Sequence, residues 1–320
     1  MALRIGFIGS GGIANAHMKV LQGLEDVLLV AFADPQVERA ENAAARFNGT
    51  AYSDYREMLE KETLDAVYVC VPPFAHEDQE IIAAGKGIHL FIEKPIALSM
   101  EKAREIKKAI DDGGVIACVG YHWRYNGTTQ QARELLDDLP IGMVLGYWMG
   151  GMPGVPWWRV MAGSGGQMVE QTTHIFDLAR YLVGDVTEVY AAYATRCLED
   201  VPNFDVSDVG TATLKFAGGA VGTVSNTCIL GQGYTVGLHI AAKDLVLEID
   251  GGNLKVIRPG RTEIIANNVN AFQAENQAFL HAVRTGDTSG IRSTYEDAMK
   301  TLAVTLAANE SARTGLPVRL

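Results

Sequence analysis

A glycine-rich turn at residues 9–14 constrains the fold of this chain more than any other segment. It reads Gly-Ser-Gly-Gly-Ile-Ala, directly follows a short apolar run and opens a stretch of helical composition. A strand, a tight turn and a helix in this order are the context in which G-x-G-x-x-G/A binds a dinucleotide. The sequence therefore predicts a parallel α/β domain with a phosphate site at the start of its first helix.

The small residues of this turn have separate tasks. Gly9 permits the tight turn, Gly11 lacks the Cβ that would block a pyrophosphate, and Ala14 lets the helix pack closely on the strand. The N–H groups at the start of the helix then face a phosphate. The turn residues expected to contact the cofactor are Gly9, Ser10, Gly11, Gly12 and Ile13.

An acidic residue ends the second apolar run, where a ribose-binding carboxylate is expected. Asp34 lies about 20 residues beyond the turn. Its carboxylate can accept hydrogen bonds from both adenosine ribose hydroxyls and would repel a 2′-phosphate. The following Pro35 and Gln36 supply no arginine to neutralise one. The sequence therefore favours NAD over NADP, with a solvated turn aspartate as the alternative reading.

Apolar runs and helix-length stretches alternate as far as residue 121. The apolar runs are nearly continuous, as expected for parallel strands that are covered on both faces. This order predicts a doubly wound parallel sheet in residues 1–121. The predicted strands are 3–8, 27–34, 65–71, 88–93 and 115–119, and the predicted helices are 13–24, 36–47, 77–84 and 100–111.

The pattern changes in residues 122–320. One periodic helix is predicted at 167–182, and six strand-like runs joined by tight turn signals follow between 187 and 257. Two helices, at about 271–285 and 294–314, close the chain. We predict an α+β domain with a large, mostly antiparallel open sheet, and we expect the last helix to pack back on the first domain.

Composition and charge exclude several classes of partner. The chain has 38 acidic and 27 basic residues and a formal net charge of −11. Because such a surface repels phosphate backbones and anionic lipids, neither nucleic acid nor a membrane is expected as a partner. No leader and no apolar stretch of about 20 residues is evident. The four cysteines lie in apolar runs and are expected to be buried thiols, so we expect a cytoplasmic protein.

Polar groups follow two successive strands of the predicted parallel sheet. The triplet Glu93-Lys94-Pro95 comes directly after one of them. Ligands bind at the carboxyl edge of such sheets, and Pro95 disfavours helical geometry at Lys94, which directs the amine into the crevice. A solvated lysine is the alternative. The residues expected to contact the cofactor at this edge are Val71, Pro72, Pro73, His76, Glu93 and Lys94.

With these motifs the chain resembles the glucose-fructose oxidoreductase / inositol dehydrogenase / rhizopine catabolism (Gfo/Idh/MocA) family over essentially its whole length. The resemblance implies an N-terminal Rossmann domain and a C-terminal α+β domain with an open sheet. It also implies a site between them in which Lys94 and His174 assist pyridine-nucleotide redox chemistry on a sugar or polyol. The resembling segments are 9–14, 71–76, 93–95, 120–125 and 165–177.

Three polar residues of the predicted helix 167–182 share one face, because Glu170, His174 and Asp177 are spaced four and three residues apart. A face turned towards water is the alternative. With the resemblance, we expect Lys94 and His174 to share the acid/base task, Glu170 to orient the substrate and Asp177 to hold the imidazole. Family members usually carry Asp at position 170, so the longer side chain leaves the preferred sugar open. Without a third ligand beside Glu170 and His174, no metal is expected.

Aromatic and basic residues form two clusters that could line a carbohydrate pocket. Flat rings stack on the C–H faces of sugars, while Arg and His side chains bind hydroxyls. The residues expected to contact substrate, besides Lys94, Glu170 and His174, are Tyr121, His122, Trp158 and Arg159.

The expected function is an NAD-dependent oxidoreductase acting on a CH–OH group of a carbohydrate. The hydroxyl must lose its proton as the hydride leaves, so a positioned base is required. A cationic nicotinamide disfavours a second cation nearby, which favours the neutral amine of Lys94. The alternatives are a redox-neutral NAD-dependent lyase or glycosidase, and a regulator that binds dinucleotide without catalysis. A homodimer or homotetramer is expected through the open sheet.

Overall fold

The computed structural model describes residues 2–320, which divide into two compact units. The first unit contains the chain up to His122 together with Phe272–Asp297, and the second contains Trp123–Ala271 and Ala298–Leu320. The first unit is therefore assembled from two segments that are far apart in the sequence. Across residues 2–320, each helix is too short or too polar to cross a bilayer.

The first unit is built on a parallel sheet, and a helix connects each strand to the next one along the chain. Its strands are β1 (Leu3–Ile8), β2 (Val27–Ala33), β3 (Thr50–Tyr52), β4 (Ala66–Val69), β5 (His89–Ile92) and β6 (Ala117–Val119). Its first five helices are α1 (Gly12–Leu21), α2 (Val37–Phe47), α3 (Tyr55–Lys61), α4 (Gln79–Gly85) and α5 (Met100–Gly113).

The six strands lie in the order β3-β2-β1-β4-β5-β6, and every neighbouring pair is parallel. The direction of winding reverses between β1 and β4, and ligands of doubly wound sheets bind beyond the carboxyl ends of the strands at this point. The predicted doubly wound sheet is thus confirmed. The structure adds β3 and α3; β3 has three residues and is too short to show a periodicity.

The second unit is built on a nine-stranded, mostly antiparallel sheet. One helix, α6 (Gly127–Leu136), precedes the first strand of this sheet. Three more lie between its first two strands: α7 (Met161–Ser164), α8 (Gln167–Glu170) and α9 (Thr173–Val183). Its strands are β7 (Ile141–Met149), β8 (Val186–Ala194), β9 (Val209–Phe216), β10 (Val221–Thr227), β11 (Thr235–Ala242), β12 (Leu245–Ile249), β13 (Asn253–Arg258) and β14 (Arg261–Ala266).

The last three elements complete both units. Helix α10 (Ala271–Thr285) contributes all but its first residue to the first unit, and α11 (Tyr295–Thr314) runs from the first unit into the second. Strand β15 (Val318–Arg319) joins the second sheet, whose order is β14-β13-β12-β11-β7-β10-β9-β8-β15. Only β7 and β10 are parallel in it, so the predicted mostly antiparallel sheet is confirmed.

One face of the second sheet carries the core of its unit, and the other face exposes large apolar side chains. Ile175, Leu178 and Leu182 of α9 are buried in the cluster that contains the inward residues of the sheet. The alternation of side chains along each strand sends the other residues to the opposite face. Large apolar residues that remain exposed on β7, β8 and β10 are Met143, Leu145, Met149, Tyr190 and Val221.

Two expectations about local structure are wrong. The predicted single helix at 167–182 is divided into α8 and α9, because the N–H groups of Gln171 and Thr172 both bond to the carbonyl of Gln167 and widen the turn. Cys197 is exposed, whereas the other three cysteines are buried. It follows β8 in a turn in which the Asp208 carboxylate accepts its backbone N–H.

Candidate active site

The glycine turn of the first unit has the shape of a phosphate site. Gly9 has a φ of +86°, and a Cβ at this position would lie 2.3 Å from the carbonyl oxygen of Cys70. A Cβ on Gly11 or Gly12 would meet no atom within 4 Å. No side chain caps the start of α1, so its first N–H groups are available to a ligand. Within residues 2–320, the buried Oγ of Ser10 has no hydrogen-bond partner.

Asp34 joins this turn to the end of β2. Its Oδ2 accepts the N–H of Ser10 and its Oδ1 accepts the N–H of Gln36, each at 2.9 Å. Each carboxylate oxygen keeps a second lone pair, which a ribose hydroxyl can use. The turn and Asp34 together fit the pyrophosphate and ribose of a dinucleotide.

The two glycines predict opposite outcomes for the same substitution. Gly9→Ala should lower Tm by several degrees, because it combines an unfavourable φ with a backbone clash. Gly11→Ala should leave Tm of the free protein unchanged, because Gly11 has an extended backbone and open space around it. It should weaken NAD binding at least about tenfold, because the added methyl group fills the phosphate site. Thermal melts and titration calorimetry with NAD measure both effects; undiminished NAD affinity of Gly11→Ala would contradict the assignment.

His76 is held by a buried carboxylate. Its Nδ1 lies 2.5 Å from Oε1 of Glu80, and both side chains are almost fully buried. Within the described part of the chain, Nε2 has no hydrogen-bond partner. The residues Val71, Pro72 and Pro73 lie just after β4, and their contacts with the cofactor, like that of His76, remain predictions.

Lys94 follows β5 and is fixed through the residue before it. Oε2 of Glu93 accepts the backbone N–H of Lys94 at 3.1 Å, and Oε1 of Glu93 lies 2.9 Å from Nε2 of His17. The carboxylate rests on Gly120, where a Cβ would lie 2.5 Å from Oε1. Because Gly120, just after β6, has no Cβ, the Glu93 side chain has room to accept the backbone N–H of Lys94.

His122 lies near the same charges. Its ring stacks on Phe272 with 4.5 Å between centroids. Burial lowers the pKa of His122 to about 4; the charge of Glu93 opposes this shift, and the charge of Lys94 adds to it. The imidazole is therefore neutral at neutral pH. Tyr121, beside it, is only 1% exposed.

In the second unit, Trp158 orients Glu170. The indole Nε1–H donates to Oε2 of Glu170 at 2.6 Å. The ring is 1% exposed and packs with Val206 and Cys228. Stacking on a sugar requires exposed ring surface, so the contacts favour an orienting role for Trp158 over the expected contact with substrate. Nearby, Arg159 donates to the carbonyl of Pro202 at 3.3 Å.

His174 lies in the first turn of α9, and Asp177 lies one turn further along. The imidazole is 6% exposed and stacks on Trp148 with 6.1 Å between centroids. Asp177 accepts two hydrogen bonds from Arg124, at 2.7 and 2.6 Å, and a third from Thr301 at 2.9 Å. These contacts favour a role for Asp177 in anchoring α9 over the expected contact with the imidazole.

The structure brings the predicted residues together in two sets. The first unit holds the glycine turn, Asp34, Glu93, Lys94 and His122, and the second holds Trp158, Glu170, His174 and Asp177. The partners that the sequence analysis did not assign are His17, Phe272, Glu275 and Thr301. None of them stands in a motif, and only the fold brings them beside the predicted residues.

Comparison with known proteins supplies the family. Residues 3–121 match the model of an oxidoreductase family with an NAD-binding Rossmann fold, and residues 129–253 match the GFO/IDH/MocA C-terminal domain. The chain is 28% identical to a scyllo-inositol 2-dehydrogenase (NAD(+)) of Bacillus subtilis, over 99% of this chain and 96% of that protein. It is 29% identical to an inositol 2-dehydrogenase of Rhizobium meliloti, over 97% of both.

A solved structure agrees with these relatives. The WlbA dehydrogenase from Bordetella pertussis, in complex with NADH and UDP-GlcNAcA, superposes with a TM-score of 0.87 and 25% identity over 100% of this chain and 99% of that one. Both family models, the full-length relatives and the geometry of the glycine turn agree. The chain therefore belongs to the Gfo/Idh/MocA family of NAD-binding oxidoreductases.

Proposed function

We propose that this protein is an NAD-dependent dehydrogenase that acts on a carbinol carbon of a sugar or polyol, with Lys94 and His174 as its acid/base pair. The observation that carries the proposal is the placement of Lys94 at the carboxyl end of β5, oriented by Glu93 in the unit that holds the dinucleotide turn. The two inositol dehydrogenases named above support a polyol or sugar as the substrate class.

In the proposed reaction, residues of this chain move the hydroxyl proton and hold the substrate by hydrogen bonds. Bound NAD supplies the acceptor for the hydride that leaves the carbinol carbon. Lys94 accepts the hydroxyl proton as the hydride leaves, and His174 hydrogen-bonds to the same oxygen and shares this proton transfer. Glu170, oriented by Trp158, accepts a hydrogen bond from a second hydroxyl of the substrate. His122, neutral at neutral pH, binds a further hydroxyl, and Tyr121 and Arg159 complete the expected substrate contacts.

A substrate panel tests this function. Aldoses, polyols, inositols and anhydrosugars are incubated with NAD or NADP, NADH absorbance is followed, and products are analysed. The proposal expects NADH formation with at least one polyol or sugar, and a higher kcat/KM with NAD because Asp34 disfavours a 2′-phosphate. Cleavage of a substrate without net NADH would identify the redox-neutral lyase, and NAD binding without any turnover would identify the non-catalytic regulator.

We further propose that the protein forms a homodimer or homotetramer in the cytoplasm. The apolar side chains exposed on β7 and β10 support association of two copies through this face. Multi-angle light scattering of the parent and of Leu145→Arg tests it, and a monomeric parent would contradict it. Three buried free thiols support a reducing compartment, which fractionation of the native cells tests.

A further inference from the structure

A cluster of three ionisable side chains is buried behind Lys94 in the first unit. It consists of His17 from α1, Glu93 after β5 and Glu275 from α10. One nitrogen or oxygen atom from each residue lies within 4.8 Å of those of the other two. His17 and Glu275 are fully buried, and Glu93 is 4% exposed. Neither His17 nor Glu275 has a task in the proposed reaction.

Hydrogen bonds hold both ring nitrogens of His17 in place. The side-chain nitrogen of Asn276 donates to the carbonyl of Phe272 at 2.6 Å, which fixes the orientation of the amide because a carbonyl can only accept. The second hydrogen of that nitrogen points to Nδ1 of His17 at 2.9 Å. The amide oxygen accepts the hydroxyl of Tyr68 at 2.8 Å. Nδ1 lies 2.9 Å from the amide nitrogen and 3.2 Å from the amide oxygen, and Nε2 donates to the Glu93 carboxylate at 2.9 Å.

Glu275 differs from Glu93 in its surroundings. Neither of its carboxylate oxygens has a hydrogen-bond partner among residues 2–320. Burial raises the pKa of Glu275 well above its usual range, and the charge of Glu93 raises it further. Tyr68 of β4 and Cys70, just after it, also have pKa values raised by burial, with the charge of Glu275 as a further cause. Glu93 is the neighbouring carboxylate whose charge opposes ionisation of Glu275.

We propose that Glu275 is a positioning residue for Lys94: as a neutral acid it leaves Glu93 as the single anion of the cluster, which holds the Nε2–H of His17 and the backbone N–H of Lys94 together. A charged Glu275 would place a second anion within 4.8 Å of the first in a buried site. Glu93 would then be displaced from Gly120, against which it is closely packed. This inference rests on the proposed function, because Lys94 has a catalytic task only there.

The contacts of His17 favour a proton on Glu275 over a metal ion in this cluster. Both ring nitrogens of His17 are already used, one by Glu93 and one by Asn276. A metal ion would have to break one of these bonds in a site lined by the rings of Tyr68 and Phe91. A protonated Glu275 requires no such change.

The raised pKa of Glu275 determines whether the protein gains or loses stability as pH rises. The pKa of Glu275 is raised in the folded state, so the folded protein keeps a proton that the unfolded chain releases above about pH 4.3. Stability is therefore lost as pH rises from that value towards the raised pKa. Glu275→Gln cannot ionise and keeps the shape of the neutral acid. The difference in Tm between this variant and the parent should grow steadily in favour of the variant as pH rises.

The experiment compares the parent with Glu275→Gln, and uses Glu296→Gln as a control because Glu296 is exposed in the same unit. Tm and kcat are measured from about pH 5 to about pH 10, with the best substrate of the panel. We expect the Tm difference of Glu275→Gln to grow by several degrees, and that of the control to stay constant. We also expect the parent to lose kcat at alkaline pH, where Glu275→Gln keeps at least about threefold more of its neutral-pH value.

Each outcome decides one part of the inference. A Tm difference that is constant with pH overturns the neutral acid, as does a stoichiometric divalent cation in the purified parent that Glu275→Gln lacks. A growing Tm difference with superimposable kcat profiles overturns the positioning of Lys94 and leaves Glu275 a structural acid. A growing Tm difference without turnover of any substrate overturns the proposed function, and the positioning role with it, while the neutral acid stands.

Discussion

Lys94→Ala is expected to lower kcat by about 10²- to 10⁴-fold while Kd for NAD stays within a few-fold of the parent value. The amine is the proposed acceptor of the substrate proton, and alanine offers no base in its place. The proposed pyrophosphate and ribose contacts lie in the glycine turn and at Asp34, which this substitution does not touch. Stopped-flow turnover with the best substrate of the panel and calorimetry with NAD measure the two effects separately.

Two further variants distinguish loss of the base from loss of a charge. Lys94→Arg keeps the positive charge but cannot release its proton, and we expect it to be as slow as Lys94→Ala. Lys86→Ala removes an exposed lysine from the same unit and should leave kcat unchanged. A Lys94→Ala enzyme with the kcat of the parent would show that the base is another group.

Arg124→Ala is expected to destabilise the second unit by about 3–5 kcal/mol. The guanidinium forms two hydrogen bonds with Asp177, at 2.7 and 2.6 Å, and the two side chains are 3% and 1% exposed. Its loss leaves a buried carboxylate that still accepts the hydroxyl of Thr301 but has lost its cation. Urea unfolding followed by circular dichroism measures the loss.

The chain offers a matched control for this substitution. Arg133 also lies over the ring of Tyr181, at 4.9 Å against 4.8 Å for Arg124, but Arg133 is exposed. Arg133→Ala should cost less than about 1 kcal/mol, because exposed cations contribute little. Equal losses in the two variants would show that the contact with Tyr181, and not the pair with Asp177, carries the energy.

The sequence determines most of the first unit, because its fold depends on local patterns. Continuous apolar runs mark buried parallel strands, and the glycine turn marks the junction of β1 and α1. The partners of Glu93 lie beyond the reach of such patterns. His17 precedes it by 76 residues, and the segment Phe272–Asp297, which carries Glu275, returns to the first unit after strands β7 to β14 of the second sheet. A segment that returns to a unit from far along the chain produces no periodic pattern in the sequence.

The second unit shows a different limit. The helical spacing of Glu170, His174 and Asp177 was sufficient to single them out, but it presumes one continuous helix. The break between α8 and α9 arises from tertiary contacts, since Asn226 of β10 donates to the hydroxyl of Thr172 at the break. The three carboxylate and imidazole groups consequently have different neighbours, and their roles follow from Trp158, Trp148 and Arg124 rather than from a shared face.

The central claim is that Lys94 and His174 act on the same proton of one substrate. A double-mutant cycle with Lys94→Ala, His174→Ala and the double variant tests it directly, with kcat/KM measured on the best substrate of the panel. Residues that act as a unit are strongly non-additive. We predict that the double variant is about as slow as the slower single variant. Losses that multiply would contradict the account, because they would show two residues working independently.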